Sequence, residues 1–167
     1  MIDTFGELYL ENKADDLAPI TAIALYDEFK ELTPSGDKGA EMIRRLADRL
    51  VAVDLLDRAA ELLFEQVEFR LNGLEKARVG AQLSLIHLLG NEFEETIRVL
   101  DETSFNNLPS KLVDQRRHLR SRSLMGQGRI DDALALLEED KSLDADLLRL
   151  EMYWNDQDWV PASKTLN

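Results

Sequence analysis

The chain predicts an all-α fold, helix pairs stacked in series within one domain, and three observations carry that expectation. First, one stretch is written four times. GRIDDALALLEED at 128–140 recurs 37 residues upstream as NEFEETIRVLDE (91–102), 37 further upstream as DLLDRAAELLFE (54–65), and 29 downstream as QDWVPASKTLN (157–167). Second, side-chain size repeats in phase. A bulky apolar residue (Leu56, Phe93, Ile130, Trp159) is followed three places on by a small one (Ala59, Thr96, Ala133, Ala162) and then by a leucine (Leu63, Leu100, Leu137, Leu166). The large side chains share one helix face, and the small one lets a neighbouring helix approach. Third, punctuation is sparse, with 8 Gly and 4 Pro, while Leu, Ala, Glu, Asp and Arg dominate. Self-similarity at a fixed period is the mark of a stacked array.

The elements follow in order. Residues 1–14 read as a tail or the remnant of a preceding element, and 15–167 as the repeat domain. Because a stack needs capping at its ends, the chain is expected to be a fragment of a larger protein. Residues 15–32, DDLAPITAIALYDEFKEL, read as one amphipathic helix with Asp16 or Ala18 ahead of Pro19 at its start. Each copy of the repeated stretch is then the second helix of a pair, and the first helices precede it at 38–52, 75–89, 110–125 and 143–154. Here a small residue recurs nine places before the bulky opener, as Ala47, Ser84 and Ser121, with Leu150 departing in the last copy. The units span about 37–72, 74–107, 110–141 and 143–167. Thr33-Pro34-Ser35-Gly36, Asn72-Gly73, Gly90-Asn91, Asn106-Asn107-Leu108-Pro109 and Gly126-Gln127-Gly128 mark the turns and helix ends. Ser110 and Asp144 are the expected N-caps.

Composition excludes several function classes. With 167 residues and 44% apolar content the polypeptide is able to bury a core. Its net charge of -13 opposes general nucleic-acid binding, which draws affinity from Lys and Arg on phosphates, and repels anionic membranes. With no cysteine there is no disulfide, thiolate metal site or thiol nucleophile. The N-terminal stretch lacks a basic region followed by an apolar one, so it does not read as a signal peptide. No apolar run approaches the roughly 18 residues of a spanning helix.

Catalytic and metal chemistry find no frame. His87 and His118 stand in no metal spacing, and His87, inside LSLIHLLG, reads as a packed histidine. The acid pairs Glu94-Glu95 and Asp131-Asp132 fall in helix first turns, where the helix dipole accounts for them, and Glu138-Glu139 on an exposed last turn. Gly126-Gln127-Gly128 lacks the frame of a phosphate loop. The expectation is a protein that is not an enzyme, with no cofactor and no metal ligands.

On these copies the chain resembles the tetratricopeptide repeat, a helix-turn-helix unit of about 34 residues that stacks into a right-handed superhelix. Residues 115–140 match best, 78–102 less well, and 44–65 and 147–167 are degenerate. Arg117 replaces the family's early aromatic, and the closing proline is missing from most copies. PITAIALYDEFKELTP followed by EMIRRLADRLVAVDLLDRAAELL also looks like the C-terminal repeat region of large bacterial proteins of this type, which favours periplasm or cell envelope over cytoplasm. The resemblance implies an α-α superhelix of about four units plus an N-terminal helix. It also implies that first helices line a concave groove. Arg78, Ala81 and Leu85 from one unit, Gln115, His118 and Arg122 from the next, and Leu147, Glu151 and Trp154 from the last would face it. Arginine clasps carboxylates by paired hydrogen bonds, so an acidic peptide or a free terminal carboxylate suits Arg122. Alternatively the basic run QRRHLRSR (115–122) answers acidic second helices in intramolecular ion pairs, and Trp154 and Trp159 close the core of the last unit. Two roles remain: a non-catalytic scaffold binding a protein or peptide partner in the groove, or a purely structural or self-association module, dimerising through a terminal helix.

Overall fold

The structure, a computed structural model, describes residues 17–34 and 36–155. They form eight α-helices, and no strand occurs among them: α1 (Pro19–Phe29), α2 (Asp37–Val51), α3 (Leu56–Phe69), α4 (Gly73–Leu89), α5 (Phe93–Glu102), α6 (Ser110–Gly126), α7 (Ile130–Leu137) and α8 (Leu143–Asn155). The all-α expectation holds. Helices pack in chain order, each on its predecessor, and α4, α6 and α8 also touch one another in a row. The tail at 1–14, Asp16 and the fourth copy at 157–167, with Trp159, Ala162 and Leu166, lie outside the described residues.

Three local expectations are corrected. The segment at 15–32 is not one helix, because α1 stops at Phe29 and a 3-10 turn, Lys30–Leu32, follows. Lys30 O accepts both the Thr33 N–H (3.1 Å) and the Thr33 hydroxyl (2.6 Å), and Pro34 then bars continuation. Ser110 is the first helical residue of α6, with Pro109 in the cap position. Ser142 takes the role expected of Asp144: its Oγ accepts the Ala145 N–H at 3.2 Å, leaving Asp144 in the first turn of α8, where its charge suits the dipole.

The repeat is written into the backbone. Asp54, Asn91 and Gly128, each 37 residues apart, are the left-handed residues between the helices of a pair, with φ of 62°, 60° and 77°. After each, the N–H of the next residue reaches back to the helix: Leu55 to Leu50 O (2.9 Å), Glu92 to His87 O (2.8 Å) and Arg129 to Leu124 O (2.9 Å). Asp54, Asn91 and Gly128 themselves donate to Val51 O, Leu88 O and Met125 O at 3.0, 3.1 and 2.9 Å. These paired bonds are the Schellman ending, which satisfies the last carbonyls of a helix and reverses the chain.

Burial follows the same phase. Ala59, Thr96 and Ala133, Leu63, Leu100 and Leu137, and Ala47, Ser84 and Ser121 are all buried, while Leu150 is half-buried. The Ser121 hydroxyl donates across its pair to Ala133 O at 2.9 Å, and Ser123 donates to Phe93 O of the preceding pair at 2.6 Å. Small residues bring helices close enough for a side-chain hydroxyl to reach a neighbouring backbone. At Gly80 contact is closer still: an added Cβ would stand 2.1 Å from Thr103 Oγ1.

Candidate functional site

The arginine run on α6 resolves into different fates. Arg116 is only 9% exposed and meets backbone: it donates to Ala77 O (2.7 Å), Leu100 O (2.5 Å) and Thr103 Oγ1 (3.2 and 3.3 Å). Burial pushes its pKa down, neighbouring Arg120 pushes the same way, and Asp101 opposes them. Arg120 pairs with Asp101. Arg117 pairs with Asp140 at 3.0 Å and with Asp114 at 3.1 Å. Intramolecular pairing thus accounts for Arg117 and Arg120, while the Arg116 guanidinium caps a helix end. Arg122 is exposed and has no hydrogen bond or ion pair among the described residues.

His118 turns inward to Asp140, with Nε2 2.8 Å from Oδ2. Asp140 is the hub of the α7–α8 connection. Its side chain is 7% exposed and accepts the Ser142 N–H at 2.9 Å as well as the His118 and Arg117 contacts. The Ser142 backbone and side-chain hydrogen bonds, then that of His118, hold the Asp140 carboxyl well below the usual carboxylate range. Arg149 completes the junction by donating to Leu137 O, Asp140 O and the Asp146 carboxylate. Sequence reasoning missed Arg149 and Asp140. An arginine midway along a following helix carries no local motif that would reveal a long-range cap.

Of the other residues expected on the first-helix face, Arg78 is exposed and 3.4 Å from Glu75. Leu85, Gln115, Glu151 and Leu147 are also exposed. Ala81 is buried among Ala77, Leu100, Leu112 and Leu119, in contact with the next pair. Trp154 is 60% exposed, which corrects its expected place in the core. With Leu147, Leu150 and Glu151 it lines an open hollow of about 270 Å³. Since α4, α6 and α8 touch in a row, Leu85, Arg122 and Trp154 stand on three successive first helices.

The other groups weighed for chemistry are engaged in structure or sit at helix starts. His87 is half-buried with Nδ1 against the Glu92 carboxylate. Glu94, Glu95, Asp131 and Asp132 occupy the first turns of α5 and α7. Hydrogen bonding to Arg98 lowers the Glu95 pKa, the reverse of what a general acid requires. Among the described residues no cluster of three or more metal-ligating side chains occurs, and no helix is long and apolar enough to cross a membrane. No family model matches the chain, and no curated protein or solved structure matches it.

Proposed function

We propose that this chain is a non-catalytic scaffold of tetratricopeptide type, a superhelix of helix pairs whose first helices form a concave face for a protein or peptide partner. The in-phase Schellman turns and the row of first helices support the superhelical reading. The observation that carries the binding role is Arg122. In a chain of net charge -13, an exposed guanidinium without a partner on the middle first helix is free to receive a carboxylate, flanked by exposed Leu85 on α4 and Trp154 on α8. Such a face suits a peptide with acidic or terminal carboxylate and a large apolar side chain. Charge reversal at Arg78 and Arg122 together tests it. Binding to an array of acidic peptides, with free and amidated C-termini, is expected to fall by at least about tenfold. Unchanged binding removes the face from consideration.

A second reading rests on α8, the last of the described helices. Leu143, Leu147 and Trp154 of α8 are all strongly exposed, and an apolar strip of that kind supports packing against another protein or a second copy. Sedimentation over a concentration series separates the two: a monomer favours partner binding, and a dimer lost on Leu147→Glu favours self-association.

A further inference from the structure

The connection from α3 to α4 passes through Asn72 and Gly73, the only asparagine-glycine step in the sequence. Asn72 is exposed and stands in the N-cap position of α4, yet its side chain caps nothing and makes no hydrogen bond among the described residues. Gly73 is the first residue of the helix, with φ of 57°. Its N–H has no acceptor among the described residues, being one of the leading amides that a helix cannot pair within itself. The first bond of α4, from the Lys76 N–H to Asn72 O, is 3.4 Å, long for a bond of this type.

These features leave an electrophile beside an unguarded nucleophile. The side-chain amide carbon of an asparagine and the backbone nitrogen of the next residue are spaced to close a five-membered ring, and glycine has no Cβ to crowd the attack. Closure requires ψ of Asn72 to turn from its extended value of 162°. That motion costs the long first bond of α4, and the Gly73 N–H has none to lose. Other asparagines lack one feature or another. The N–H that follows Asn91 is held by His87 O at 2.8 Å, and Asn106 and Asn107 are followed by Asn107 and Leu108, whose side chains crowd the nitrogen.

We propose that Asn72-Gly73 is a site of spontaneous covalent modification, where the folded chain converts its own asparagine to aspartate and isoaspartate with water as the sole co-reactant. The Gly73 nitrogen attacks Asn72 Cγ. The N–Cγ bond forms, the Cγ–Nδ2 bond breaks, and Nδ2 leaves as ammonia with the Gly73 proton. One water then opens the resulting succinimide. Cleavage of the new N–Cγ bond gives aspartate, and cleavage of the original peptide bond gives isoaspartate, whose main chain is one carbon longer. Either product adds a negative charge to a chain already at -13. That charge stands three residues before Glu75, the carboxylate that ties α4 to Arg44 of α2 at 3.1 Å. Ordinary aspartate is an adequate N-cap, whereas isoaspartate lengthens the link between two successive helix pairs.

The test is to hold the full chain in mildly alkaline buffer, digest it at intervals and follow the peptides by mass spectrometry, with an isoaspartate-specific methyltransferase reporting the isomer. The peptide containing Asn72 is expected to exchange NH for O in mass at least about tenfold faster than those containing Asn91, Asn106 or Asn107. Both isomers should form, the ordinary one co-eluting with the peptide of an Asn72→Asp variant. Because the site is open in the native structure, its rate in the folded chain should lie within about tenfold of its rate in urea. Asn72→Gln, which could close only a six-membered ring, should give no product and an unchanged circular dichroism spectrum. Gly73→Ala should slow the reaction at least about tenfold in buffer and in urea alike, which separates crowding of the nitrogen from any change in fold. No mass change at Asn72, a rate no greater than at the other three asparagines, a folded rate more than about tenfold below the rate in urea, or an unchanged rate in Gly73→Ala overturns the proposal.

Discussion

Replacing Arg116 with methionine isolates the contribution of a buried guanidinium to the stack. Its acceptors are unequal. Ala77 O lies within α4 and keeps its place in the helical ladder, whereas Leu100 O lies in the last turn of α5, where the Ser104 N–H turns instead to Asp101 O at 3.1 Å. Without Arg116, Leu100 O is a buried carbonyl with no donor, a loss of about 1–3 kcal/mol. Against it stands the desolvation of the charge, which already lowers the Arg116 pKa and is relieved in the variant. Methionine fills much of the volume, so the stranded carbonyl dominates, and a net loss of about 2 kcal/mol is expected. For a chain of this size that lowers Tm by about 4–8 °C. Urea unfolding monitored by circular dichroism measures it as a lower midpoint at unchanged slope. Arg120→Met, which removes only a surface pair with Asp101, should stay within about 1 kcal/mol. Arg116→Lys should not restore stability, because one ammonium cannot reproduce the guanidinium fork. An Arg116→Met variant at least as stable as the parent would refute the reasoning, showing that desolvation outweighs the three carbonyl and hydroxyl contacts.

The repeated turn should respond by residue type. Gly128→Ala is expected to lose about 1 kcal/mol and Asp54→Gly to gain roughly 0.5–1 kcal/mol, both read by urea midpoints, because only glycine is unstrained in the left-handed region. Asp140→Asn should destabilise the α7–α8 junction by about 2 kcal/mol at neutral pH. Because the folded pKa of Asp140 lies below its unfolded value, its stabilisation is complete above about pH 4. It is lost as pH falls through the folded value, so parent and variant should converge in acid-unfolding curves. Arg70→Gln and Arg122→Gln, by contrast, should each shift the urea midpoint by less than the equivalent of about 0.5 kcal/mol. A larger loss at either would make it a folding residue.

The helix pairs were legible because side-chain size has to repeat where identical units nest. Leu63, Leu100 and Leu137 recur in sequence and are all buried in the structure. Even the turns left a trace in Asn91 and Gly128, although Asp54 gave none, since aspartate is common in many loop conformations. Ser110 and Asp144 misled for a related reason: the residue one or two places earlier has the geometry of the cap, and local sequence does not say which polar residue the chain will choose. Trp154 misled by size, because the apolar bulk that normally marks a core position sits on the open side of α8. The site was legible only in part. Leu85, Arg122 and Trp154 on α4, α6 and α8 were named from the resemblance and are exposed, but Asp140 and Arg149 drew no notice, since their junction exists only after α8 folds back beside the end of α7.

Which arginines remain unpaired does follow from spacing, once the helices are placed. On a helix an arginine finds a carboxylate most readily three or four residues away. Arg98 has Glu95 and Glu102 at those distances, Arg58 has Glu61, Arg129 has Asp132 and Arg149 has Asp146, and each pairs with them. Five arginines have no acid at either distance in either direction: Arg49, Arg70, Arg116, Arg120 and Arg122. Three of them are taken up by distant groups, Arg49 by Leu17 O, Arg116 by the end of α5 and Arg120 by Asp101. Arg70 and Arg122 are the two arginines with no bonding partner among the described residues. With Asp and Glu outnumbering Lys and Arg by 33 to 20, a chance surface arrangement would readily supply each with a carboxylate. Their isolation is a property of the local sequence, which withholds acids from Arg122 on the first-helix row and from Arg70 at the end of α3. An external anion would meet a guanidinium at these two positions without first displacing an internal carboxylate among the described residues.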